Sequence, residues 1–132
     1  MYKIVLLEDE AAQARQIMGF LRKYEASFSD YSFSIEHYHN GQALLEAYRC
    51  DADVALLDIC VPKVQGMEVA RRIREMDPNV MIVFVTNLVE YAVEGYSVKA
   101  FDYIVKPFAY PLFQAKMERI MRSLASRKTE IS

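Results

Sequence analysis

The chain has 132 residues, a formal net charge of −2, and 53% hydrophobic against 26% charged residues. That is the size and balance of one globular domain able to bury a core. It excludes a disordered chain, and the small net charge gives no global reason to bind nucleic acid or a membrane surface.

Met1-Tyr2-Lys3 runs into a strand without a signal-peptide pattern. The apolar runs are too short to span a bilayer. Cys50 and Cys60 have neither metal-ligand nor redox CxxC spacing. A reducing, cytoplasmic setting is the simplest expectation.

In chain order, residues 4–7 predict a short buried strand, and Ala14, Ile17, Met18 and Leu21 recur at helical spacing over about 11–25. Phe33, Ile35 and His37 alternate with more polar residues, as in a partly exposed strand. Asn40-Gly41 ends it, with Asn40 placed to cap a helix through Tyr48. Residues 54–57 form the next strand. Pro62 and Gly66 punctuate a loop before a helix carrying Val69, Ala70 and Ile73. Asp77-Pro78-Asn79 turns the chain into strand 80–85. A short helix near 90–97, a strand over 102–105 and a final helix over 110–125 follow, the last with Phe113, Met117, Ile120, Met121 and Leu124 on one face. The polar residues 126–132 read as a frayed tail or the start of a linker after a domain spanning 1–125.

Alternating strands and helices imply a parallel sheet covered on both faces, with the more polar second strand at an edge. Ligands of such sheets bind beyond the carboxyl ends of the strands. Four apolar runs end there in polar residues: Glu8 and Asp9, Asp58, Thr86, and Lys106. Taken singly, each has a bland explanation. Glu8-Asp9 suits helix capping, Thr86 a cap, and Lys106-Pro107 a solvated loop. Their joint placement points to one site. Three carboxylates together call for a hard divalent cation with oxygen ligands. Mg²⁺ takes few carboxylates and accepts phosphate oxygens, and a carboxylate can itself accept a phosphoryl group.

The ordered set Leu7-Glu8-Asp9-Glu10, Asn40-Gly41, Leu57-Asp58-Ile59 with Pro62 and Gly66, Val85-Thr86, and Asp102 through Phe108 resembles a response-regulator receiver domain over residues 2–125. The stretch from Glu90 through Phe108 further resembles receivers of LytTR-type transcription regulators. The resemblance implies a flavodoxin-like (β/α)5 fold with strand order 2-1-3-4-5. It implies Asp58 as phosphoacceptor from a sensor histidine kinase. Glu8, Asp9, Asp58 and the Cys60 backbone carbonyl would hold Mg²⁺, and Thr86 and Lys106 would bind the phosphoryl oxygens. Thr86 and Tyr103 would form the switch, and the Lys106-Pro107 bond would be cis.

On this resemblance the chain is a signalling domain rather than an enzyme. Phosphorylation would remodel the face built by helix 90–97, strand 102–105 and helix 110–125. That face would also serve a homodimer, with Glu90 and Glu94 facing Lys116 and Arg119 of a second molecule. DNA would be reached only through an output domain outside this chain, and no membrane is involved.

Cys60 and Leu88, at positions that influence hydrolysis in the family, give water no orienting group, so a long-lived phosphoryl state is expected. Asn87 stands where a small residue is usual and would narrow access. The competing expectations are a phosphate-independent pseudo-receiver acting as an interaction module, and a flavodoxin-like enzyme. The latter lacks a phosphate-cradling loop, since Glu8-Asp9-Glu10 stands there.

Overall fold

Each apolar run becomes a strand of one parallel sheet. This computed structural model describes residues 1–28, 30–88 and 94–131, with side chains to 127. The elements are β1 (Tyr2–Leu7), α1 (Ala11–Ser27), β2 (Phe33–Tyr38), α2 (Gly41–Ala47), β3 (Val54–Leu57), α3 (Gly66–Met76), β4 (Met81–Thr86), a 3-10 helix (Glu94–Val98), β5 (Asp102–Val105) and α4 (Tyr110–Ile131). The order is β2-β1-β3-β4-β5, every pair parallel. The partly polar β2 takes an edge, as its alternation predicts.

Side chains alternate across the strands, and the two faces collect two cores. Ile4, Leu6, Leu56, Val83 and Ile104 meet Ile17 and Leu21 of α1 and Phe113, Met117 and Ile120 of α4. Val5, Leu7, Leu57, Ile82 and Phe84 meet Leu44 of α2, Val69, Ala70 and Ile73 of α3, and Val98. The continuous apolar runs thus reflect burial on both faces. Asn40 caps α2 as expected, its side chain accepting from the Ala43 amide at 2.8 Å.

The structure differs from the sequence reading in several places. β1 starts at Tyr2, whose N–H donates to the Ser32 carbonyl at 2.9 Å beside β2. β4 takes in Thr86 but not Val80, whose N–H goes to Asp77 Oδ1 at 3.2 Å. Of the helix expected over 90–97, residues 90–93 lie outside the described residues, and 94–98 form a 3-10 helix. α4 continues to Ile131 through the segment read as a frayed tail. Arg127 there donates to the Asn79 carbonyl at 2.8 Å and ties the helix to the approach to β4.

Candidate functional site

Strand register assembles the site. Leu7 is level with Leu57 across β1 and β3, so the residues after them leave the sheet side by side. The Asp58 N–H extends that ladder to the Leu7 carbonyl at 3.0 Å. Thr86 is level with Val105, and the Lys106 N–H continues to the Thr86 carbonyl at 3.0 Å. Parallel strands lie about 4.8 Å apart, so these residues form one cluster.

Glu8, Asp9 and Asp58 each offer a carboxylate oxygen within 4.8 Å of the others. Glu8 is fully buried and Asp58 only 6% exposed, while Asp9 faces solvent. The Lys106 ammonium reaches over both buried acids, donating to Glu8 Oε1 and, at 2.8 Å, to Asp58 Oδ2. The Lys106-Pro107 bond is cis. Asp58 Oδ1 accepts from the Cys60 amide at 3.2 Å, and Glu8 Oε2 from the Glu10 amide at 3.2 Å. Glu8 is thus not the N-cap residue of α1; Glu10 holds that position, without a side-chain cap bond.

Burial opposes ionisation in this cluster. Loss of water pushes the Glu8 carboxyl above its ordinary value, against the pull of Lys106. Burial also pulls on the Lys106 ammonium, but bonds to Asp58 and Glu8 outweigh it and raise its pKa. Three carboxylates and one ammonium leave two formal negative charges. An all-oxygen donor set with that charge suits a hard divalent cation such as Mg²⁺.

Thr86 and Tyr103 lie on the α3 face of the sheet. The Thr86 hydroxyl is fully buried and accepts from the Leu88 amide at 3.3 Å, rather than turning to the carboxylates. The Tyr103 hydroxyl donates to the carbonyl of the same Leu88, its ring 5.7 Å from Phe84. Both expected switch residues therefore grip one backbone unit. Leu88 itself packs into the α3-side core, and Cys60 is exposed.

Glycines bring the backbones close enough for this geometry. A Cβ on Gly66 would lie 2.0 Å from the Asp58 carbonyl oxygen, and one on Gly41 2.1 Å from that of Val64. Contacts beyond the motif complete the support. His37 Nε2 lies 2.8 Å from the Glu8 carbonyl. Tyr48 donates to buried Asp77 at 2.7 Å; burial, and after it that bond, pushes the phenol far up. Arg74 donates to the Val98 carbonyl at 2.8 Å and Arg71 to Glu94 at 2.9 Å, tying α3 to the 3-10 helix. Only long-range packing reveals these partners; the Asp77-Pro78-Asn79 turn was the one local signal.

The expected cross-molecule charges are engaged within the chain. Lys116 and Arg119 both bind Asp102, at 3.0 and 2.6 Å, and Glu94 binds Arg71. Glu90 lies outside the described residues. No helix among the described residues is long and apolar enough to cross a membrane.

Fold and site together define a doubly wound α/β module whose carboxyl edge holds an acidic pocket bridged by one lysine. Residues 4–118 match the response regulator receiver domain, and the chain belongs to that family of two-component signalling modules. It is 32% identical over 128 residues to the sensory transduction protein LytT of Oceanobacillus iheyensis, covering 95% of this chain and 50% of the relative. That agrees with the resemblance to receivers of LytTR-type regulators. The response regulatory domain of mrkE from Klebsiella pneumoniae superposes with a TM-score of 0.82 at 23% identity, covering 94% of this chain and 98% of that one. The Thermotoga maritima response regulator TrrA, solved in complex with Mg²⁺-BeF, gives 0.75 at 24% identity over 91% and 99%. The chain spans about half the length of the curated relatives it matches.

Proposed function

We propose that this receiver is activated by phosphorylation. Asp58 takes a phosphoryl group from a phosphohistidine of a sensor histidine kinase, with Mg²⁺, and the change is relayed to a transcription-regulating output in the cytoplasm. The observation that carries this is Lys106, bonded at once to Glu8 and Asp58 in a buried pocket. A structural ion pair needs one acid; a second buried carboxylate held beside it, with Asp9 adjacent, is costly unless it serves chemistry. The complete set also argues against a phosphate-independent pseudo-receiver.

In the transfer an Asp58 carboxylate oxygen attacks phosphorus as the phosphohistidine N–P bond breaks and an O–P bond forms. Positioning and charge neutralisation carry most of such a step. Mg²⁺ held by Glu8, Asp9, Asp58 and the Cys60 carbonyl would neutralise phosphoryl oxygens. Lys106 follows the charge from the free carboxylates to the phosphoryl group.

Thr86 then turns its hydroxyl to a phosphoryl oxygen and gives up the Leu88 amide. Tyr103 holds the other side of Leu88, so the two switch residues move together. The result is a population shift between two packings of the region 86–103. The face of the 3-10 helix, β5 and α4 presents exposed Tyr96, Val105 and Leu112 and is the proposed homodimer surface. Exposed Cys60 and half-buried Leu88 offer no charged group to orient attacking water, so the phosphoryl group persists beyond minutes.

The test is transfer from a labelled, autophosphorylated histidine kinase, followed by borohydride trapping and peptide mass spectrometry. Homoserine at position 58, formed as borohydride reduces the aspartyl phosphate and phosphate leaves, supports the proposal; kinase-dependent reduction at any other residue refutes the assignment.

A further inference from the structure

The chain has two histidines, and both stand at the carboxyl end of edge strand β2: His37 within the strand and His39 just beyond it. Alternate positions of an extended chain project to one side. The two rings meet there, centres 4.4 Å apart and planes at 61°. His37 Nε2 lies 2.8 Å from the Glu8 backbone carbonyl. A carbonyl oxygen only accepts, so Nε2 carries the proton and donates it. In the neutral ring the lone pair then sits on Nδ1. The phosphoryl chemistry of Asp58 uses neither histidine.

We propose that His37 and His39 together bind a late first-row divalent metal ion such as Zn²⁺, at a site separate from the acidic pocket. Two observations carry this. Metal-binding histidines characteristically donate their other ring N–H to a backbone carbonyl or a carboxylate, which fixes the tautomer and aims the lone pair. His37 already makes that bond. The ring spacing also fits: two imidazoles bound at right angles to one ion, each at about 2.0–2.1 Å, hold their centres about 4.5 Å apart. His39 is exposed, so its ring can turn a nitrogen to the ion, and water fills the remaining positions. Neutral imidazoles suit Zn²⁺, Ni²⁺ and Cu²⁺, whereas Mg²⁺ prefers oxygen. One end of the sheet therefore sorts two kinds of cation, hard ions to the carboxylates and borderline ions to the histidines. An ion on this pair ties the end of β2 to the Glu8 backbone and stabilises the folded chain.

The test is a Zn²⁺ titration of the untagged chain in excess Mg²⁺, followed by ¹⁵N NMR of the imidazole nitrogens. Exposed Cys50 and Cys60 can also take Zn²⁺, so the rings themselves are the readout. Both rings should shift along one saturation curve, with Nδ1 of His37 metallated and its Nε2 still protonated. Loss of a partner outside the coordination shell costs about 10–100-fold in metal affinity, so loss of a ligand in His39→Gln should weaken binding by at least about tenfold. His39 is exposed, and that variant should keep the Tm of wild type without Zn²⁺ while losing the rise that Zn²⁺ gives. A shift of neither ring or of one ring only, a His37 metallated through Nε2, or a His39→Gln affinity within twofold of wild type would overturn the proposal and leave the pair as a ring contact alone.

Discussion

Adding one methyl group at Gly66 should damage both the fold and the site. The Cβ of a Gly66→Ala variant would lie 2.0 Å from the Asp58 carbonyl oxygen and 2.7 Å from the Asp58 carbonyl carbon and Ile59 Cα, where ordinary contact begins at 3.4 Å. All three are backbone atoms, so no rotamer change relieves the clash, and α3 must move away by more than about 1 Å. The Gly66 N–H donates to the Ile59 carbonyl at 2.9 Å, and that bond stretches as α3 retreats. Overpacking of about 1–3 kcal/mol and a weakened hydrogen bond of about 1 kcal/mol give a loss of about 2–4 kcal/mol. At about 4 °C per kcal/mol for a domain of this size, Tm falls by about 8–16 °C. Calorimetry and urea unfolding of Gly66→Ala beside Gly19→Ala make the assay. Gly19 is exposed on α1 with nothing within 4 Å of its built Cβ, so that variant should gain about 0.5–1 kcal/mol. A Gly66→Ala protein melting within 2 °C of wild type would refute the close-approach argument.

Lys106→Ala, measured in EDTA at pH 7, should lose about 3–5 kcal/mol by leaving two buried carboxylates without their cation. Burial holds native Glu8 above its ordinary pKa of 4.5, and more so without Lys106. The native state therefore binds the proton more tightly than the unfolded chain, stability falls as pH rises from about 4.5 through the raised value, and the deficit should shrink on acidification; a deficit independent of pH would contradict this. Tyr48→Phe should cost about 1–3 kcal/mol in urea unfolding by unpairing an oxygen of buried Asp77, with acetyl phosphate reactivity unchanged. Mg²⁺ at 100-fold above its Kd should stabilise wild type by about 2.7 kcal/mol, and Asp9→Asn should markedly raise the concentration needed.

The strand ends were legible because their signal is local: an apolar run, then a charge. Once Glu8, Asp58, Thr86 and Lys106 sat at successive ends, parallel pairing alone brought their backbones together. The Asn40 cap was legible for the same reason, since a cap bond spans three residues. Gly66 was visible as punctuation, but its role is set by a backbone met only after folding. The joint hold of Thr86 and Tyr103 on Leu88 was hidden, because the hydroxyl of Tyr103 reaches back 15 residues. The buried Tyr48–Asp77 pair spans 29 residues and follows no periodicity. α4 outran its predicted end, where Arg127 finds a partner in the Asn79 carbonyl that no helical pattern records.

The most direct measurement is the intact mass of the chain incubated with acetyl phosphate, with and without Mg²⁺, wild type beside Asp58→Asn. A single phosphoryl adduct on wild type that requires Mg²⁺ and is missing from the variant is the predicted result. An adduct that persists in Asp58→Asn, or wild type that stays unmodified with both Mg²⁺ and donor in excess, would contradict the assignment of Asp58 as the phosphoacceptor.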